Sequence, residues 1–404
     1  MKRITSALLA LTLALGFAGC SEAAPKKTEP TTVPTTVATE PITEPSVPET
    51  IPEIEYIQEP MVSVSIPVIT EYTQQEETTL FTYSYQYMSL IQPDPFVAEK
   101  IVLDFQTRQD IFRADATGYS EQAKAAYTGA EDWTPYLMQA LYSPKRIDQS
   151  VLSLYGSHVR WTGGFHPEHH CICANYNMIT GDVLTLGSIL AHEDQIPALG
   201  NLVIEAINAV KEEKSIMDGF EVTVRNRLET NVHFDEDWYF SDEGLCFCFS
   251  PYEIAPYSSG TVVVTIPYEK LTGVMDDSFF PTERSTVYGE VTATRFQDAD
   301  QESLTQIAEV ILDREGEMLF LYTDKKVDQV TLELGQWDPN GVIFTPTCAV
   351  FATQALTPGD AVMVQAQIPD TLPTLRLSYV SGDETVTRYI SQSGEDGSIL
   401  LLEE

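Results

Sequence analysis

The chain has 404 residues, with 23 basic and 60 acidic side chains and a formal charge of −37. Such a surface repels phosphate backbones and anionic lipid headgroups, which excludes nucleic acid as a partner. It keeps a protein in solution and also draws cationic partners: divalent ions, basic peptides or basic enzymes.

The first twenty residues read as an export signal. "MKR" is a short basic start, "ITSALLALTLALGF" an apolar stretch, and "FAGC" a small-residue cleavage site ending at Cys20. The arrangement looks like a bacterial lipoprotein signal in which Cys20 is lipidated, although Phe17 stands where leucine is usual. The expected location is therefore the outer face of the cell membrane, with the lipid as anchor. No later stretch approaches eighteen consecutive apolar residues. Cleavage removes Lys2 and Arg3 and no acid, leaving 21 basic and 60 acidic groups, a charge of −39.

Residues 21–60 hold eight Pro, eight Thr and eight Glu, with no aromatic before Tyr56. They have too little to bury and read as a disordered tether, up to ~120 Å long if extended as polyproline II. The rest of the chain is long enough for two domains with cores of their own. "SVSIPVIT" (63–70) and "TLFTYSYQYMSL" (79–90) alternate as strands. After "QPDP", Val97, Ile101, Phe105 and Phe112 suit one helix face, and Gly118 and Gly129 punctuate the stretch beyond it. "RIDQSVLSLYGSHVRW" (146–161) returns to strand character, "TGG" turns, and Thr180-Gly181 makes a second turn. A second helix carries Ile196, Leu199, Val203, Ile207 and Val210 on one stripe, with Pro197 in its first turn. "GLCFCFSPYEIAPYSSGTVVVTIPYEKL" (244–271) closes with two strands.

These elements predict an α+β domain over 61–277, an antiparallel sheet packed with two main helices. From 285 to 404 short strands alternate with Asp, Asn, Gly and Pro turns, which predicts a smaller β-sandwich-like domain. "QESLTQIAEVIL" (301–312) reads equally as a helix or as a loop entering a strand.

The pattern Gly163-Gly164-x-His166-Pro167 leading to Asn177 and Thr180-Gly181, then Tyr252-x-x-x-Pro256-Tyr257 and Ile266-Pro267-Tyr268, resembles the extracytoplasmic domain of the RsiV-type anti-sigma factors. That domain also stands at the front of the PdaC-type polysaccharide deacetylases. The resemblance covers about residues 61–275. It implies a binding domain without catalytic residues, and lysozyme as one ligand of the group. No segment here corresponds to the sigma-binding part or the membrane span, so anti-sigma activity is not expected. The β-rich segment after residue 285 contains no histidine, so a deacetylase site is not expected either.

Three histidines and two cysteines fall within 166–173, and two more cysteines stand in "CFC" at 246–248. His166 sits in the family turn, where an imidazole that fixes a loop is commoner than a ligand. His169, Cys171, Cys173 and Asn175 face one side of a strand; His170, Ile172, Ala174 and Tyr176 face the other. If this strand neighbours "LCFCF", Cys171, Cys173, Cys246 and Cys248 line one sheet face. Three readings stay open: packed thiols, a cross-strand disulfide, or a zinc site whose Cys-x-Cys spacing departs from the usual Cys-x₂₋₄-Cys. Cys348 is left single.

There is no Gly-x-Ser-x-Gly elbow and no Walker loop. "QDADQE" (297–302) begins like a calcium loop but lacks its glycine and closing glutamate. No metal, cofactor or catalytic residue is therefore assigned. The expectation is a lipid-anchored binding protein for a wall-associated ligand, lysozyme, another cationic protein or peptidoglycan, with Trp161, His166 and Tyr257 on the rim of its site. The rivals are an enzyme that modifies wall polysaccharide and a passive structural lipoprotein.

Overall fold

The computed structural model describes residues 60–129, 132–230, 236–282, 286–369 and 371–403, so Cys20, the export signal and all but the end of the tether lie outside the described residues. Chain order begins with β1 (Ser63–Ser65), β2 (Val68–Gln75), β3 (Thr78–Gln86), β4 (Ser89–Ile91) and α1 (Pro95–Ala126). Then come β5 (Tyr136–Ile147), β6 (Val151–Trp161), β7 (Glu168–Cys171), β8 (Ala174–Asn177), α2 (Ile196–Ala209) and α3 (Phe220–Thr230). β9 (Trp238–Phe240), β10 (Gly244–Phe249) and β11 (Val262–Pro267) close this α+β part. An all-β region comes next: β12 (Val291–Arg295), β13 (Gln306–Ile311), β14 (Glu317–Thr323), β15 (Val327–Trp337), β16 (Phe344–Leu356), β17 (Asp360–Ala366), β18 (Leu375–Ser381), β19 (Glu384–Gln392) and β20 (Ile399–Glu403).

The fold is α+β with mainly antiparallel sheets, as the sequence predicts. One sheet runs β2-β3-β5-β6-β7, with β8 continuing β7 along β6, and β11-β10-β9 form a second. α1 covers the first. Asp94 caps it by accepting from Phe96 N at 2.9 Å, and Pro95 sits where its missing donor costs nothing. Val97, Ile101, Phe105, Phe112, Ala116 and Ala123 form its buried stripe. The helix runs through Gly118, which the sequence marks as punctuation. Nothing lies within 4 Å of a Cβ built there, so this open-faced glycine costs the helix only about 1 kcal/mol.

Two further expectations are corrected. The stretch 63–70 is two strands, because Pro67 has no N–H to continue a ladder. β1 pairs with β16 through Ser63↔Thr353, whereas β2 pairs with β3. Together with β4, β1 thus completes the seven-stranded sheet β20-β19-β18-β15-β16-β1-β4, which packs on β12-β14-β17-β13 as a sandwich. Secondly, α3 is a helix the sequence did not announce; it docks on α2, with Leu228 Cδ1 3.1 Å from a Cβ built on Gly200. The segment 301–312 is a short 3-10 turn entering β13.

The described residues from 60 onward belong to one compact unit. Arg146, at the end of β5, is one of its buried fasteners: it donates to Asp148 Oδ2 (2.6 Å), to Tyr268 Oη (2.8 Å) and to the Phe279 carbonyl (2.5 Å).

Candidate functional site

β6 ends at Trp161, and the chain must then reverse. Gly163 and Gly164 do so at φ +91° and +123°, conformations that a side chain strongly disfavours. This turn pushes Phe165 fully into solvent and brings His166 back over the protein. The His166 ring stacks on Tyr257, centroids 3.9 Å apart and planes 23° off parallel. Tyr257 Oη donates to the Pro167 carbonyl at 2.9 Å, and His166 Nδ1 lies 3.4 Å from the same oxygen. His166 Nε2 is 3.3 Å from Tyr252 Oη. An Nδ1–H tautomer satisfies both imidazole contacts, with the tyrosine hydroxyl donating to Nε2.

The opposing wall is held as firmly. Tyr252 adopts φ +73°, an unusual conformation for a tyrosine, in the turn after β10. Glu253 beside it accepts from Ser250 N at 2.8 Å and pairs with Arg227, which also reaches Asp237 at 3.2 Å. Burial pushes the Asp237 carboxyl up to about 7; Arg227 opposes that shift while Glu253 and Glu236 add to it. His169, next along the strand, lies 6.1 Å from Tyr257 by ring centroids. Burial, then the charges of His170 and His166, hold it below the usual imidazole range.

Sequence reasoning names Trp161, His166 and Tyr257. The structure brings His166 and Tyr257 into contact. Trp161 stands at the base of the same loop, where its indole N–H donates to the Gly164 carbonyl at 3.3 Å; it braces the turn and meets Tyr136 edge-on at 6.4 Å. Phe165 and Tyr252 are not among the residues so named. Phe165 carries no periodic signal, but a lone aromatic after two turn glycines is the pattern that exposes it.

The four cysteines of the two Cys-x-Cys segments gather in one buried nest with Tyr155, Tyr239 and Val263. They do not do so as neighbouring strands. β7 and β8 keep one register along β6, Ser157↔Cys171 and Leu154↔Ala174, while β10 lies between β9 and β11. The two sheets instead meet face to face. At the break between β7 and β8, Ile172 N still bonds Gly156 O, whereas Cys173 N turns away to Glu236 O. A Cβ on Gly156 would stand 2.2 Å from Ile172 O, so glycine is what admits this crossing. Cys173 Sγ and Cys248 Sγ come within 4.0 Å of each other. Asn175 pins the same seam by donating to Trp238 O at 2.9 Å, and Tyr176 on the other face donates to Asp104 of α1. Cys348 lies apart in the sandwich core, its thiol pushed up to about 12 by burial and then by Glu333. Among the described residues no three His, Cys, Asp or Glu side chains converge where a metal ion could sit.

One family model matches part of the chain. Residues 187–269 match the family model described as "Protein of unknown function (DUF3298)", a span that includes Tyr252 and Tyr257 but stops short of Trp161 and His166. Among solved structures the chain is similar to a DUF3298 family member from Bacteroides fragilis, at 17% identity over 54% of this chain and 94% of that one, with a TM-score of 0.37. It is similar also to a DUF3298 family protein from Pseudomonas aeruginosa, at 17% identity over 56% and 99%, with a TM-score of 0.39. No curated protein sequence matches the chain.

Proposed function

We propose that this is an exported, lipid-anchored binding protein that takes a wall-associated ligand on the rim formed by Phe165, His166, Tyr252 and Tyr257. The observation that carries the reading is the fully exposed Phe165 on a turn locked by the His166–Tyr257 stack. An exposed aromatic held rigid beforehand loses little freedom on binding, which is what an interface anchor needs. The DUF3298 match supports only the domain type. The lysozyme ligand rests on the resemblance to the RsiV-type domain and on charge, since an acidic chain attracts a cationic protein. Peptidoglycan, whose sugars offer apolar faces to aromatic rings, is the second candidate ligand.

The test uses the chain with Cys20→Ser, so that no lipid is attached. Calorimetric titration with lysozyme and with equally basic cytochrome c, and co-sedimentation with insoluble peptidoglycan, are run at low salt and at 150 mM. Charge alone is screened beyond ~8 Å at the higher salt. A shaped site retains lysozyme or peptidoglycan there and releases cytochrome c. If lysozyme and cytochrome c bind alike at low salt, both let go at 150 mM and peptidoglycan stays unbound, the rim is not a binding site. The acidic surface is then a solubility device. Turnover of labelled peptidoglycan in the same mixtures would favour the enzyme reading instead.

A further inference from the structure

We propose that Cys173 and Cys248 are a disulfide-forming pair, a covalent staple across the seam between the two sheets of the α+β part. Their sulfurs are 4.0 Å apart although the residues are 75 positions apart in the chain. Both backbones bond to the same short segment: Cys173 N donates to Glu236 O and Cys248 N to Asp237 O. The two sulfurs are already in contact across this segment, and forming a bond of about 2.05 Å brings them roughly 2 Å closer.

Of the other thiols of the nest, Cys171 also acts on the Cys248 thiol, but only Cys173 Sγ lies in contact with it at 4.0 Å, and Cys246 is committed elsewhere. Cys246 Sγ lies 3.3 Å from Thr265 Oγ1 and 3.5 Å from Ser241 Oγ, a hydroxyl pair that suits a thiol. Cys246 and Cys248 alternate on one strand, so that pair cannot close on itself without breaking its extended backbone, while Cys171 ends β7 and Cys173 lies in the break before β8. Cys348 lies in the other core.

The reaction is thiol–disulfide exchange with a disulfide oxidant. Each thiol gives up its proton, the two sulfurs join, and the electron pair reduces the oxidant to two thiols. Both sulfurs are fully enclosed once the sheets have met, and burial pushes the Cys248 thiol well above its usual range. Thiolate, the attacking species, is thus scarce in the finished fold, and the bond forms while the chain is folding and the seam still admits the oxidant. After closure the same burial shields it from reduction.

The pairing does not depend on which ligand the rim takes; it needs an oxidising environment, and it is tested in solution. The Cys20→Ser chain is unfolded under reducing conditions and refolded in a mixture of oxidised and reduced glutathione. It is then alkylated in denaturant without further reductant and digested. Of the five remaining cysteines, three should alkylate, and mass spectrometry should find one cross-link, joining Cys173 to Cys248. Reductant added with the denaturant should lower the unfolding midpoint of this protein. The Cys173→Ala/Cys248→Ala double variant, if folded, should show no such shift. If that variant fails to fold, the peptide map of the parent decides alone. Five alkylated thiols, a cross-link joining any other pair, or one equivalent of zinc retained after refolding with zinc and released on thiol modification would each overturn the assignment.

Discussion

Replacing Arg146 by methionine examines the packing account most severely. The side chain is 1% exposed and its guanidinium serves Asp148, Tyr268 and the Phe279 carbonyl while lying 5.4 Å from the centre of the Phe240 ring. Methionine fills a similar volume but donates nothing. Asp148, 11% exposed at its side chain, loses its counter-charge, and the Phe279 carbonyl loses its donor. Breaking a buried pair from one side costs about 3–5 kcal/mol, because the other charge stays behind unpaired. Unfolding entropy of about 2.1 cal/mol/K per residue over roughly 350 residues converts about 4 kcal/mol into a fall of about 5 °C in Tm. Asp148 also accepts from Ser150 N and Val151 N through Oδ1. Asp148→Asn keeps that oxygen and removes the charge, so the double variant should recover at least ~1 kcal/mol relative to the sum of the two single losses. Denaturant titration of the four proteins measures this. A loss below about 1 kcal/mol for Arg146→Met, or strict additivity, would show that the pair does not hold the strand end to the Tyr268–Phe279 segment.

Two glycines should respond in opposite directions. Gly156→Ala places a methyl group 2.2 Å from Ile172 O and 2.7 Å from the Tyr142 ring, so it should lower Tm sharply or leave the protein insoluble. Gly118→Ala, in open space on α1, should stabilise by about 0.5–1 kcal/mol in denaturant melts. Asp237 gives a pH signature. Its folded pKa of about 7 stands above the unfolded ~3.9, so the stability it lends is complete below pH 4 and is lost as pH rises through 7. Asp237→Asn should therefore flatten the pH dependence between about 4 and 7, by an amount approaching ~1.4 kcal/mol per unit; parallel profiles for the two proteins would contradict the burial argument.

Period-two alternation makes the two faces of 169–176 legible, because a strand buried between a helix and a second sheet leaves both faces chemically distinct. What alternation cannot say is which strand lies opposite, and the Cys-x-Cys segments meet across facing sheets rather than as hydrogen-bonded neighbours. The pairing of Ser63 with Thr353 spans almost the whole described chain, and no local signal announces it. α3 hides its spacing of Phe220, Val224 and Leu228 among β-branched and charged residues. In the rim, the turn glycines and the Pro256-Tyr257 pair mark the two walls. The stack that joins them depends on two sheets docking, which is a property of the core.

The central claim, that this rim binds a ligand, is tested most directly by Phe165→Ala. The side chain is fully exposed and supports nothing in the core, so the variant should melt with the parent protein. The measurement is affinity at 150 mM salt for whichever of lysozyme or peptidoglycan the parent retains there. The account predicts at least a tenfold loss, about 1.4 kcal/mol, with Tm unchanged. An affinity equal to that of the parent would contradict it and place the ligand on another face.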